Sequence, residues 1–171
     1  MSNIQATKKW TELSGLAIVS LADGKKLGTC DDFYFEPATT RVYGLRVKTG
    51  VLGHRVLLTT SINNIGQDAI TTENEERLIS ESELKNMPTV VAGRNLDGYK
   101  IMSENGTVVG KLGNVLIDIS VPNNLRIASY ELAGNFLQQI GNRDHSFTAD
   151  RVLRYGADVL VIPDDIALNL R

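Results

Sequence analysis

His54, His145 and Cys30 are the residues of this sequence best suited to bind a metal or attack an electrophile. Zinc needs three or four converging ligands. One histidine in each half of the chain does not supply them, so both read as polar residues at strand starts. Asp144-His145-Ser146 holds the three residue types of a catalytic triad. Neighbouring strand residues point to opposite faces, and a triad is defined by convergence in space, so this run does not read as one. Cys30 stands beside Asp31-Asp32. Nearby carboxylates raise a thiol pKa and oppose a reactive thiolate. Asp31-Asp32 and Asp164-Asp165 lack a calcium-loop spacing and read as solvated charge. Gly106-x3-Gly110-x2-Gly113 departs from the dinucleotide fingerprint, and no long helix follows to hold a phosphate. Its glycines read as turn and bulge positions. Asn105-Gly106-Thr107 reads as a hairpin turn rather than a glycosylation site. No nucleophile, base and orienting group combine, so the expectation is a protein with no catalytic residue, no cofactor and no metal.

Two apolar loops are more informative. Val51 and Leu52 stand between Gly50 and Gly53, and Phe136, Leu137 and Ile140 stand between Gly134 and Gly141. Loops run over the surface and are seldom apolar without a reason. Two readings stay open: the loops fold back and cap their own domains, or they dock a protein partner. Val51, Leu52, Phe136, Leu137 and Ile140 are therefore the candidate partner-binding residues.

The elements that would carry these loops occur twice. Leu13-Ser14-Gly15 matches Leu96-Asp97-Gly98, Asp23-Gly24 matches Asn105-Gly106, and Phe33-Tyr34-Phe35-Glu36 matches Val115-Leu116-Ile117-Asp118. Val42 falls on Ile127 and Leu45 on Tyr130. Ile62-x3-Gly66-x-Asp68-x-Ile70 matches Val152-x3-Gly156-x-Asp158-x-Leu160. The offset grows from 83 (Leu13 to Leu96) to 90 (Ile62 to Val152), with the insertions between apolar segments, where surface loops tolerate them. An internal repeat dictates the fold.

Each copy reads as strands. In the first these are 16–21, 33–36, 42–48, 55–59 and 69–72. In the second they are 100–103, 108–111, 114–119, 127–132, 146–149 and 158–162. Short strands at close spacing, without long helical periodicity, predict an all-β fold of two tandem small β-barrels. The boundaries are 10–75 for the first domain, 76–91 for a linker and 92–165 for the second. Within the linker, Ser80-Glu81-Ser82-Glu83 predicts a helical turn that Pro88 ends. Units this small have marginal cores and are expected to pack on each other or on a partner.

The 171 residues carry a formal net charge of −2, which disfavours direct nucleic-acid binding. One cysteine forms no intrachain disulfide. No apolar run reaches the ~20 residues of a membrane span, and Met1 to Trp10 lacks the apolar core of a secretory signal. The expectation is a cytoplasmic protein, with peripheral attachment to a membrane complex left open.

The apolar strands ending in an acid, the run Val42-Tyr43-Gly44-Leu45-Arg46-Val47, and the loops Gly50-Val51-Leu52-Gly53 and Gly134-Asn135-Phe136-Leu137 together resemble the PRC-barrel family. The resemblance covers both copies. That family includes the cytoplasmic domain of the photosynthetic reaction-centre H subunit and the C-terminal domain of a ribosome maturation factor. The resemblance implies PRC-barrel-like domains without shared catalytic residues. It implies a non-catalytic adaptor or assembly protein whose partner is a protein, with a membrane-associated photosynthetic complex as the leading example. An accessory factor in ribosome maturation or RNA processing is the alternative, a small-ligand barrel another, and homo-oligomerisation stays open.

Overall fold

A computed structural model describes residues 6–87, 89–134 and 145–170. The chain is mostly strand, in two sheets, as the repeat and its short apolar runs predict. After β1 (Thr7–Lys9) and a single helical turn α1 (Trp10–Leu13), the first lobe holds β2 (Ala17–Ser20), β3 (Lys26–Phe35), β4 (Val42–Thr49) and β5 (Gly53–Leu58). It continues with β6 (Ile62–Ile65), β7 (Ala69–Thr72) and β8 (Leu78–Ser80). The second lobe follows β9 (Val91–Ala92) and holds β10 (Lys100–Ser103), β11 (Val108–Asp118) and β12 (Arg126–Leu132). Its last strands are β13 (Ser146–Thr148), β14 (Arg154–Tyr155) and β15 (Val159–Ile162), and a short helix α2 (Asp164–Asn169) follows.

The two sheets repeat one topology. The first runs β6-β7-β2-β3-β4-β5-β8 and the second β14-β15-β10-β11-β12-β13. In each lobe one pair is parallel, β2 with β7 and β10 with β15, and the other neighbours are antiparallel. Both orders are open paths among the described residues; neither sheet closes on itself through hydrogen-bonded end strands.

Sequence dictates this pairing locally. Asp23 and Asn105 each turn a hairpin with a side-chain oxygen that accepts the N–H two residues on, at 3.1 Å in both cases. On β3, Cys30, Phe33 and Phe35 face the core, with bulges that readjust the alternation around Asp32 and between Tyr34 and Phe35. The second lobe's runs 108–111 and 114–119 prove to be parts of the single strand β11, which carries a bulge between Leu112 and Asn114.

The stretch 76–91 holds the expected helical turn, a 3-10 helix at Glu81–Asn86 whose start is capped by Ser80 Oγ accepting the Ser82 N–H. It also adds two strands to the first sheet: β8 pairs with β5, and β9 pairs with β3.

The lobes share one core. Phe33, Phe35, Leu45 and Leu57 of the first belong to the same buried cluster as Ile101, Ile117, Tyr130 and Leu160 of the second. An aromatic row crosses it, with Trp10 to Phe33 at 4.8 Å between ring centroids, Phe33 to Phe35 at 5.7 Å and Phe35 to Tyr155 at 6.1 Å. Each lobe is too small to bury much apolar surface alone, so the merged core supplies what neither could. The backbone crosses too. β1, which precedes the first lobe, pairs with β11 of the second, and β9, which precedes the second lobe, pairs with β3 of the first. The exchange is reciprocal and has the form of a twofold-related dimer joined into one chain.

Candidate functional site

The hairpin between β4 and β5 carries the two most exposed large apolar side chains among the described residues. Thr49 pairs with Gly53 at its end. Gly50 takes φ +72°, a left-handed conformation that side chains disfavour. A Cβ on Gly53 would lie 2.6 Å from the Thr49 carbonyl oxygen, so a side chain is excluded there too. Between these glycines Val51 and Leu52 are 89% and 91% exposed. They touch no core, so of the two readings of the loop, capping fails for this one. Phe136, Leu137 and Ile140 of the second apolar loop lie outside the described residues.

The tip stands on a polar mount. Asp31 accepts from Arg46 Nε at 2.7 Å and Nη2 at 3.1 Å, and its second oxygen lies 3.2 Å from His54 Nε2. The forked contact with Asp31 raises the Arg46 pKa further above its usual value. Arg55 Nη2 donates to the Leu78 carbonyl at 2.8 Å, tying β5 to the capping strand β8. His54 thus steadies the base of the hairpin. His145 is half-buried, and its neighbour Asp144 lies outside the described residues. Among the described residues no three His, Cys, Asp or Glu side chains gather as a metal site.

A second set of polar residues serves the seam between lobes. Asp32, buried on β3, accepts from Arg94 Nη1 at 2.7 Å, from the Arg94 N–H at 3.2 Å and from the Phe33 N–H at 2.8 Å. At the equivalent place in the second lobe, Asn114 donates to Thr11 Oγ1 at 3.1 Å and accepts from the Val115 N–H at 3.0 Å. The repeat keeps the geometry and exchanges an ion pair for a neutral one. A cleft of about 260 Å³ lies between these two bonds, with Trp10, Asp31, Asp97 and Leu112 along its walls. Tyr34 Oη donates to Glu81 at 3.1 Å, and burial together with the Glu81 charge pushes its pKa up to about 12.

Cys30 is fully buried, and burial first, then Asp31 and Asp32, push its thiol up to about 12. The sequence had offered only the acids as the cause; burial is the larger one. Asp164 and Asp165 are employed locally. Asp164 accepts the Asn105 N–H at 3.1 Å, and Asp165 lies 3.4 Å from Arg151.

Sequence reasoning missed the strand exchange. β1 reads Thr7-Lys8-Lys9 and carries no apolar alternation, so nothing in its composition marks a strand. The one signal was the repeat, which places residues 7–9 opposite 90–92 and so asks both segments to behave alike.

No helix among the described residues is long and apolar enough to cross a membrane. Residues 7–79 match the family model of the PRC-barrel domain, so the first lobe carries such a domain. The chain matches no curated protein.

Proposed function

We propose that the protein is a non-catalytic adaptor or assembly protein, a two-lobed platform that docks a protein partner through the tip at Val51 and Leu52. The observation that carries this reading is their near-complete exposure at the tip of a tight glycine-flanked turn. Apolar side chains held in water gain free energy only when another surface covers them, and such anchors contribute disproportionately to interfaces.

In this reading the second half is a second PRC-barrel-like copy, supported by a strand order that matches the first over six strands. Its apolar run Phe136, Leu137 and Ile140 joins the proposal on sequence grounds as the second contact. Two apolar contact segments in one chain would add avidity without tight single contacts. The resemblance favours a membrane-associated complex as the partner.

The test is affinity purification of the tagged chain from its host with membranes solubilised, run beside Val51→Ser/Leu52→Ser. The reading expects a defined set of proteins captured by the wild type and lost with the variant at unchanged stability. Identical capture by both chains would sink it, and enrichment of ribosomal proteins would move the partner to the ribosome.

A further inference from the structure

The seam holds a pair of like charges that the docking reading does not use. Arg41 and Arg126 form an antiparallel bridge between the lobes. The Val42 N–H donates to the Leu125 carbonyl at 3.0 Å, and the Ile127 N–H donates to the Thr40 carbonyl at 2.8 Å. These bonds flank the arginines and leave them as the non-hydrogen-bonded pair, the closer of the two antiparallel kinds, with Cα atoms about 4.5 Å apart and side chains on one face. Val42 and Ile127 are repeat counterparts, so Arg41 and Arg126 are counterparts too, facing each other at the centre of the exchange.

Like charges directly opposite one another are destabilising unless something neutralises them. Among the described residues neither guanidinium makes an ion pair. Two carboxylates stand in line with them, Glu36 opposite Arg41 and Asp118 opposite Arg126. Neither forms an ion pair with the arginines among the described residues, and both make local hydrogen bonds instead. Glu36 accepts the hydroxyls of Thr39 and Thr89 at 3.0 and 2.9 Å, and Asp118 accepts the N–H and hydroxyl of Ser120 at 2.9 and 2.6 Å. Arg41 lies 5.2 Å from the centre of the Tyr43 ring, and its Nε is buried without a hydrogen-bond partner. Beside it Thr40 holds φ +63°, a strained value for a β-branched residue.

We propose that Arg41 and Arg126 together bind the phosphoryl group of a small ligand. Two guanidinium forks present multiple N–H donors in the geometry that phosphate oxygens accept. Glu36 and Asp118 at the ends of the row repel further negative charge, so the site suits a compact anion and rejects a polyanion such as nucleic acid.

The test is a titration of the full-length, isotope-labelled chain with inorganic phosphate and, separately, glycerol 3-phosphate, at ionic strength held constant with sodium chloride. The proposal expects saturable NMR shifts at the amides of Arg41, Tyr43 and Arg126 with at least one of the two. Tighter binding of the ester assigns the site to an organic phosphate, and equal binding assigns it to the free ion. Arg126→Gln, at an exposed position, should weaken binding about tenfold or more, and Arg41→Lys should do the same by losing the fork. Shifts that never saturate with either ligand, or that persist in Arg126→Gln, would overturn it.

Discussion

Asp32 and Arg94 are joined at 2.7 Å across the seam, the carboxylate buried on the first lobe's long strand and the guanidinium half-exposed on the second lobe's first turn. Removing the arginine leaves a buried charge with only backbone donors, so Arg94→Thr should lower unfolding free energy by about 2 kcal/mol. Asp32→Asn/Arg94→Thr recreates the Asn114–Thr11 pair and should recover most of that loss. Chemical denaturation of the wild type, both single variants and the double gives the coupling directly. Additive losses would show that the two residues do not act as a pair.

Val51→Ser/Leu52→Ser should change stability by no more than about 0.5 kcal/mol, because both side chains are already in water. Gly53→Ala should cost about 1 kcal/mol or more, since its methyl meets the Thr49 backbone carbonyl. Thermal melts of the two variants separate a tip that displays apolar residues from one that uses them for folding.

Stability should fall at alkaline pH. The thiol of Cys30 is raised from 9.0 to about 12 and the phenol of Tyr34 from 10.0 to about 12 in the folded chain. Between pH 9 and 12 the unfolded chain loses these protons while the folded chain keeps them, so unfolding gains ground as pH rises. Below pH 9 neither group contributes a slope. Denaturation midpoints from pH 8 to 11 measure this, and a Cys30→Ala variant should show a shallower decline. Cys30 should also resist thiol reagents at pH 8 until the chain is unfolded.

Tyr130 and Tyr155 share a hydrogen bond at 2.7 Å between their hydroxyls inside the second lobe. Tyr155→Phe leaves the buried Tyr130 hydroxyl without that partner and should cost about 1–3 kcal/mol. Adding Tyr130→Phe removes the orphaned group and should cost little more. A double variant as unstable as the sum of the singles would contradict this pairing.

The repeat and the all-β fold were legible because turn glycines and core positions such as Ile18, Val42 and Ile70 each obey a local rule. The exposure of Val51 and Leu52 was half legible. Their apolar type marked the loop, but capping and docking differ only in the direction the tip takes, and residue types do not encode that direction. The Asp32–Arg94 bond was not legible, because its members lie 62 positions apart and belong to different copies. Asp32 looked like half of a solvated acidic pair, and only the bulge on β3 sends it inward while Asp31 turns out to Arg46.

The exchange of β1 and β9 also sets an order on the birth of the molecule. β1 has its berth on β11 of the second lobe, so during synthesis it cannot dock until that later strand has emerged. Until then the edge it will occupy does not exist, and the first lobe stands with the Phe33–Phe35 side of its core uncovered. Damage to Thr7–Lys9 would therefore be felt in the second lobe, and a chain halted midway would hold a nascent lobe in need of shelter.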